Sequence, residues 1–103
     1  MLYLIYSTDK EIGGEARKKA RQAHLDYLEA HADKLVLAGA TLEEDGTRTG
    51  SCYVINVGSL AEAEAFAKNE PFWTEGVFGE QTVTRMRRGQ WSPENAPKTP
   101  EGN

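Results

Sequence analysis

The sequence predicts an α+β domain: a four-stranded antiparallel sheet with two helices on one face. Three observations lead there. Strand-like apolar segments open and close the chain, two stretches with helical apolar spacing interrupt them, and an Asp-Gly turn joins the middle two strands. The order strand, helix, strand, strand, helix, strand is a split βαβ pair, which places both helices on the same side of the sheet.

Leu2 to Ser7 alternates Leu2, Leu4 and Tyr6 against Tyr3, Ile5 and Ser7, a strand with apolar side chains on both faces. Gly13-Gly14 breaks it. From Glu15 to about Asp33, Ala16, Ala20, Ala23, Tyr27 and Ala30 recur at helical spacing, which predicts an amphipathic first helix. Leu35 to Leu42 and Ser51 to Val57 read as the second and third strands, a hairpin closed by Glu43-Glu44-Asp45-Gly46-Thr47. Ser59-Leu60-Ala61-Glu62 matches a capping box and starts the second helix, whose inward stripe is Leu60, Ala63, Phe66 and Ala67. That helix must stop near Asn69, because Pro71 disfavours helical geometry at Glu70. Val77 to Arg88 is the last strand, with an irregularity expected at Gly79. Residues 1–91 thus form one domain, and the Pro-rich tail 92–103 is expected to be disordered.

At 103 residues there is room for one hydrophobic core and no second domain. A formal charge of −4 offers no field to attract a phosphate backbone, so nucleic acid is not an expected partner. The apolar start is too short for a membrane span and lacks the features of a signal peptide; a cytoplasmic protein is expected. With Cys52 as the single cysteine, neither a disulfide nor a cysteine-based zinc cluster can form, and the plain reading of Cys52 is a buried small hydrophobe. No axial-ligand or phosphate-cradling motif is visible, so no cofactor and no metal are expected.

Both faces of the first three strands are apolar. Tyr3, Ile5, Val36, Ala38, Tyr53, Ile55 and Val57 lie on one, and Leu2, Leu4, Leu35, Leu37, Cys52 and Val54 on the other. Two helices cover one face only, which predicts a homodimer whose sheets pack against each other.

The candidate chemistry rests on few residues. His24 sits at the edge of the inward stripe of the first helix, with Arg17 and Arg21 within about 60° of it around the helix axis. One account is a histidine satisfied by a backbone carbonyl; the other is a general acid or base, which needs a second polar group. Glu70, turned by Pro71 at the end of the second helix, can supply it, although a glutamate there is ordinarily an exposed turn residue. His31 lies seven residues beyond His24, about 10 Å along the axis, too far to share a metal ion, and reads as a cation at a helix C-terminus. Phe72, Trp73 and Phe78 cluster beside Glu70, as core or as pocket wall. Arg85, Arg87 and Arg88 read as a solvated strand end.

Several segments together carry a family pattern: Arg21-Gln22-Ala23-His24-Leu25-Asp26-Tyr27-Leu28, Leu37-Ala38-Gly39-Ala40, Gly50-Ser51, Ala61-Glu62-Ala63, and Glu70-Pro71-Phe72-Trp73-Thr74-Glu75-Gly76-Val77-Phe78. Over about residues 2 to 89 the chain resembles the YciI-related (YCII domain) family. The resemblance implies a ferredoxin-like fold of the dimeric α+β barrel group and a His–Asp pair as active site. His24 matches the histidine, while Glu70 stands where the family usually has aspartate, one methylene shorter. It further implies elimination or isomerisation of a small cyclic or enolic compound, with His24 and Glu70 catalytic and Arg17, Arg21, Ser51, Phe72 and Trp73 around the substrate, Arg17 or Arg21 holding an anionic oxygen. The competing expectation is a dimeric barrel that binds a small ligand or protein partner without turning it over.

Overall fold

A computed structural model describes residues 1–100. Its elements run β1 (Leu2–Asp9), α1 (Ala16–Ala30), β2 (Leu35–Leu42), β3 (Arg48–Asn56), α2 (Leu60–Asn69), a short α3 (Pro71–Thr74) and β4 (Phe78–Met86), followed by one 3-10 turn at Pro93–Asn95. The sheet is antiparallel in the order β2-β3-β1-β4, the ferredoxin-like arrangement. Central β1 and β3 pair from Leu2 opposite Asn56 to Thr8 opposite Gly50. No helix among the described residues is long and apolar enough to cross a membrane.

Local chemistry explains the boundaries. Ser59 caps α2 by accepting from the Glu62 amide at 3.1 Å, while the Glu62 carboxylate reaches back to the Gly58 amide at 2.8 Å, one residue before the position a standard capping box would use. Pro71 holds Glu70 extended (φ −70°, ψ 130°), which ends α2 and lets Pro71 open α3 as its first residue. Gly76, at φ +75°, then closes α3 in left-handed geometry with the Val77 amide bonded to the Phe72 carbonyl. The hairpin turns at Gly46, φ +89°, with Asp45 Oδ1 accepting from the Thr47 amide. The expected irregularity at Gly79 is present: Asp9 pairs with Phe78 but Thr8 with Glu80.

Three corrections concern side-chain facing. A register shift between Leu35 and Leu37 turns Leu35 onto the helix side, where it packs on the core, and leaves Val36 exposed, so strict alternation placed Leu35 on the wrong face. On α1, Ala16, Ala23 and Ala30 are exposed; the inward face is Arg17, Ala20, His24, Tyr27 and Leu28, with His24 near its middle rather than at its edge. Leu60 likewise faces solvent, leaving Ala63, Phe66 and Ala67 as the buried stripe of α2.

The main core lies between the sheet and α2, built from Tyr3, Ile5, Tyr53, Ile55, Val57, Ala63, Phe66 and Ala67. A smaller cluster, Ala20, Phe72, Val77 and Phe78 with Trp73 against it, anchors α3. The opposite sheet face carries Leu2, Leu4, Tyr6, Leu37, Val54 and Met86, with Leu37 63% exposed. Cys52 is half-buried on that face rather than in the core. Of the tail, residues 92–100 are exposed with only the 3-10 turn as regular structure, and 101–103 lie outside the described residues.

Candidate active site

Three elements meet at His24. The ring projects from the inward face of α1, and its Nδ1 lies 2.6 Å from Glu70 Oε1. Glu70 is 0% exposed. Its placement follows from the extended backbone before Pro71, which aims the side chain under α1 instead of into solvent. Tyr53, on β3, donates its hydroxyl to Glu70 Oε2 at 3.3 Å and lies 3.5 Å from His24 Nδ1. Burial first, and the neighbouring Glu70 charge second, push the Tyr53 phenol well above its ordinary range, so it remains a donor. With both carboxylate oxygens accepting, the hydrogen-bond network assigns the ring proton to Nδ1 and leaves Nε2 as the ring nitrogen without a hydrogen-bond partner among the described residues, on a side chain that lines a cleft.

Phe72, at the second position of α3, fixes the plane of the imidazole: the two rings stack at 3.9 Å between centroids and 5° between planes. Arg17 lies two helical turns before His24 on the same face, its guanidinium 4.7 Å from the Phe72 centroid. It forms a bidentate pair with Asp9, Nε to Oδ2 and Nη2 to Oδ1, both at 2.9 Å. Nη2 also donates to the Gly50 carbonyl at 2.9 Å and to Ser51 Oγ at 3.4 Å. Arg17 therefore ties α1 to β1 and β3. Gly50 is needed at this crossing, because a Cβ there would stand 2.0 Å from the Ser7 carbonyl oxygen.

Above this pair opens a cleft of about 590 Å³ lined by His24, Arg17, Arg21, Ser51, Tyr53 and Phe72. Asp9 of β1, Gly13 and Gly14 after it, Lys18, Leu25 and Leu28 of α1, Ala38, Gly39 and Ala40 of β2, and the hairpin residues Asp45 to Arg48 supply the remaining walls. A volume of that size suits one small ring compound. Of the sequence-derived residues, His24, Arg17, Arg21, Ser51 and Phe72 line the cleft, and Glu70 is buried beside His24. Trp73 does not line the cleft; it packs against the cluster under α3. His31 closes α1, its Nδ1 2.8 Å from the Tyr27 carbonyl and its ring against Tyr27 and Phe66. Among the described residues no group of three or more His, Cys, Asp or Glu is placed to hold a metal ion.

Sequence reasoning missed Tyr53 and Asp9. Tyr53 shares a strand face with Ser51, two residues away, a signal that was legible but that also fits a core tyrosine. Asp9 fell beyond the expected end of β1, which continues two residues past Ser7 because β3 and β4 both pair with Thr8 and Phe78 of β4 pairs with Asp9.

Over residues 1–87 the chain matches the model of the YCII-related domain. It is 32% identical over 96 residues to Protein YciI of Escherichia coli O6:H1 and to Protein YciI of Shigella flexneri, in each case across 85% of this chain and 98% of the relative. Among solved structures it is similar to the 5-chloro-2-hydroxyhydroquinone dehydrochlorinase of Burkholderia phenoliruptrix AC1100 in complex with 2,5-dihydroxybenzoquinone. That likeness has a TM-score of 0.75 and 34% identity, covering 86% of this chain and 96% of the other.

Proposed function

The chain belongs to the YCII-related family, and from that premise we propose that it is an enzyme of elimination or isomerisation acting on a small hydroxylated or enolic ring. The observation that carries the reading is the His24–Glu70 contact of 2.6 Å at the foot of a cleft sized for one ring. His24 Nε2 takes a proton from the substrate; in elimination the electron pair left behind expels the leaving group, and in isomerisation the double bond shifts and the imidazolium returns the proton at another ring position. Glu70, holding Nδ1–H, keeps the ring in the tautomer that presents Nε2 and stabilises the imidazolium formed. Tyr53 holds the second carboxylate oxygen, and the stacked Phe72 prevents the imidazole from tilting. The similar protein's dehydrochlorination of a hydroquinone supports loss of a halide as the elimination to try first.

A panel of halogenated hydroquinones, followed by halide release, tests this. Wild type should release halide from at least one, and His24→Ala and Glu70→Gln should each lose turnover with the fold intact. Retained turnover in both variants would exclude the mechanism. A buried carboxylate with both oxygens partnered also fits a purely structural pair in a ligand-binding module. In that case His24→Ala should be strongly destabilising and no panel member should be turned over.

The same reading includes a homodimer through the uncovered sheet face, where Tyr6, Leu37 and Met86 are exposed. The expected sedimentation mass is two chains; a single-chain mass at micromolar concentration would remove this part.

A further inference from the structure

The two arginines near His24 have unlike situations. Arg17 is committed: its guanidinium is paired to Asp9 through two bonds and spends a further donor on Gly50. Arg21, one helical turn before His24 on the same helix, lines the cleft and has no hydrogen-bond or ion-pair partner among the described residues. Lys18, one turn earlier still, also lines the cleft, and its only acidic contact among the described residues is a 3.7 Å approach to Glu15 between two exposed side chains. Among the described residues the acids on the cleft wall are Asp9, paired to Arg17, and Asp45, bonded to the Thr47 amide, which holds its carboxyl below the usual range. With Arg17, Lys18, Arg21 and Arg48 against Asp9 and Asp45 on its walls, the cleft is locally cationic among the described residues, in a chain whose formal charge is −4.

We infer that the substrate ring carries a carboxylate set apart from the reacting hydroxyl, and that Arg21 is the residue that selects for it. This rests on the cleft being the site proposed above, and it assigns the anion to Arg21 rather than Arg17. Side chains three apart on a helix have Cβ atoms about 5–6 Å apart, a span that one six-membered ring with its substituents can bridge. A guanidinium free of protein partners can meet the carboxylate with two parallel N–H donors, which a lysine cannot do. Leu25 and Leu28, beside Arg21 and His24 on the cleft wall, give the ring apolar cover.

Binding, read by calorimetry and by the shift of the His24 ring resonance, tests this without requiring turnover. The probes are 2,5-dihydroxybenzoate and hydroquinone, alike in ring and hydroxyls and differing in the carboxylate. Wild type should bind the benzoate about tenfold more tightly, the scale of one charge-assisted pair. Arg21→Gln should abolish that preference by weakening the benzoate, and Lys18→Gln should keep it. Equal affinity for both probes, a preference that survives Arg21→Gln, one that disappears in Lys18→Gln, or no saturation by either probe at millimolar concentration would each overturn the inference. Because the readout is binding, failure of the proposed elimination would show in the halide assay while this preference persisted.

Discussion

Under its helices the sheet has two halves built by the same strands on the same face. Along β1 the inward residues run Tyr3, Ile5, Ser7, Asp9, and along β3 they run Ile55, Tyr53, Ser51. The half beneath α2 is apolar and filled by Phe66, Ala63 and Ala67. The other half is polar, yet Ser7, Asp9, Ser51 and Glu70 are all buried. Burying such groups is costly unless each finds a partner, and none of the described buried side-chain polar atoms lacks one. The difference teaches what each half is for. An apolar half needs only volume, whereas a polar half needs a specific network, and that network ends at the cleft.

The widest separation between the halves should come from His24→Ala, which is expected to lower turnover by roughly 10²–10⁴-fold with a small change in melting temperature. A full loss of stability with this variant would instead join His24 to the core. Next, Ile55→Ala, in the apolar half, should destabilise by about 2–5 kcal/mol in denaturant titration and leave the turnover of the remaining folded protein near wild type. A clear drop in turnover there would mean that the two halves are mechanically one. Glu70→Gln keeps the side-chain shape but weakens the bond to the imidazole; about a hundredfold loss of turnover is expected, with stability within about 1 kcal/mol of wild type. Unchanged turnover would remove Glu70 from the chemistry.

The smallest effect expected is that of Tyr53→Phe, about 1 kcal/mol in stability from one lost hydrogen bond. Its sharper signature is in alkali. Because the folded chain holds the Tyr53 proton above the ordinary pKa of 10.0, the unfolded chain releases that proton first. Stability is therefore full below pH 10 and falls as the pH rises beyond it. Tyr27, raised by burial and then by Glu70, contributes in the same direction. Tyr53→Phe should flatten the fall without abolishing it, and identical alkaline profiles for variant and wild type would contradict the buried hydroxyl–carboxylate contact.

The pairing of His24 with Glu70 came from the family resemblance; by itself, the sequence determined the order of the strands and two long helices, the hairpin, the stop of α2 at Asn69 and the two-faced sheet. These depend on period, capping and the steric effect of a proline, all local to a few residues. Glu70 shows where local reasoning ends: its position before Pro71 was legible, but composition favours an exposed glutamate, and only the docking of α2 and α3 under α1 buried it against His24 and Tyr53. The bulge at Val36 moved Leu35 to the other face, a change that alternation cannot anticipate because it arises from pairing with β3. Tertiary structure likewise separated Arg17 from Arg21. Both share a helix face with His24, but Asp9 and the Gly50 carbonyl arrive from β1 and β3 to engage only the first. Which group is spent and which is free is a property of three strands and helices meeting, and no single segment encodes it.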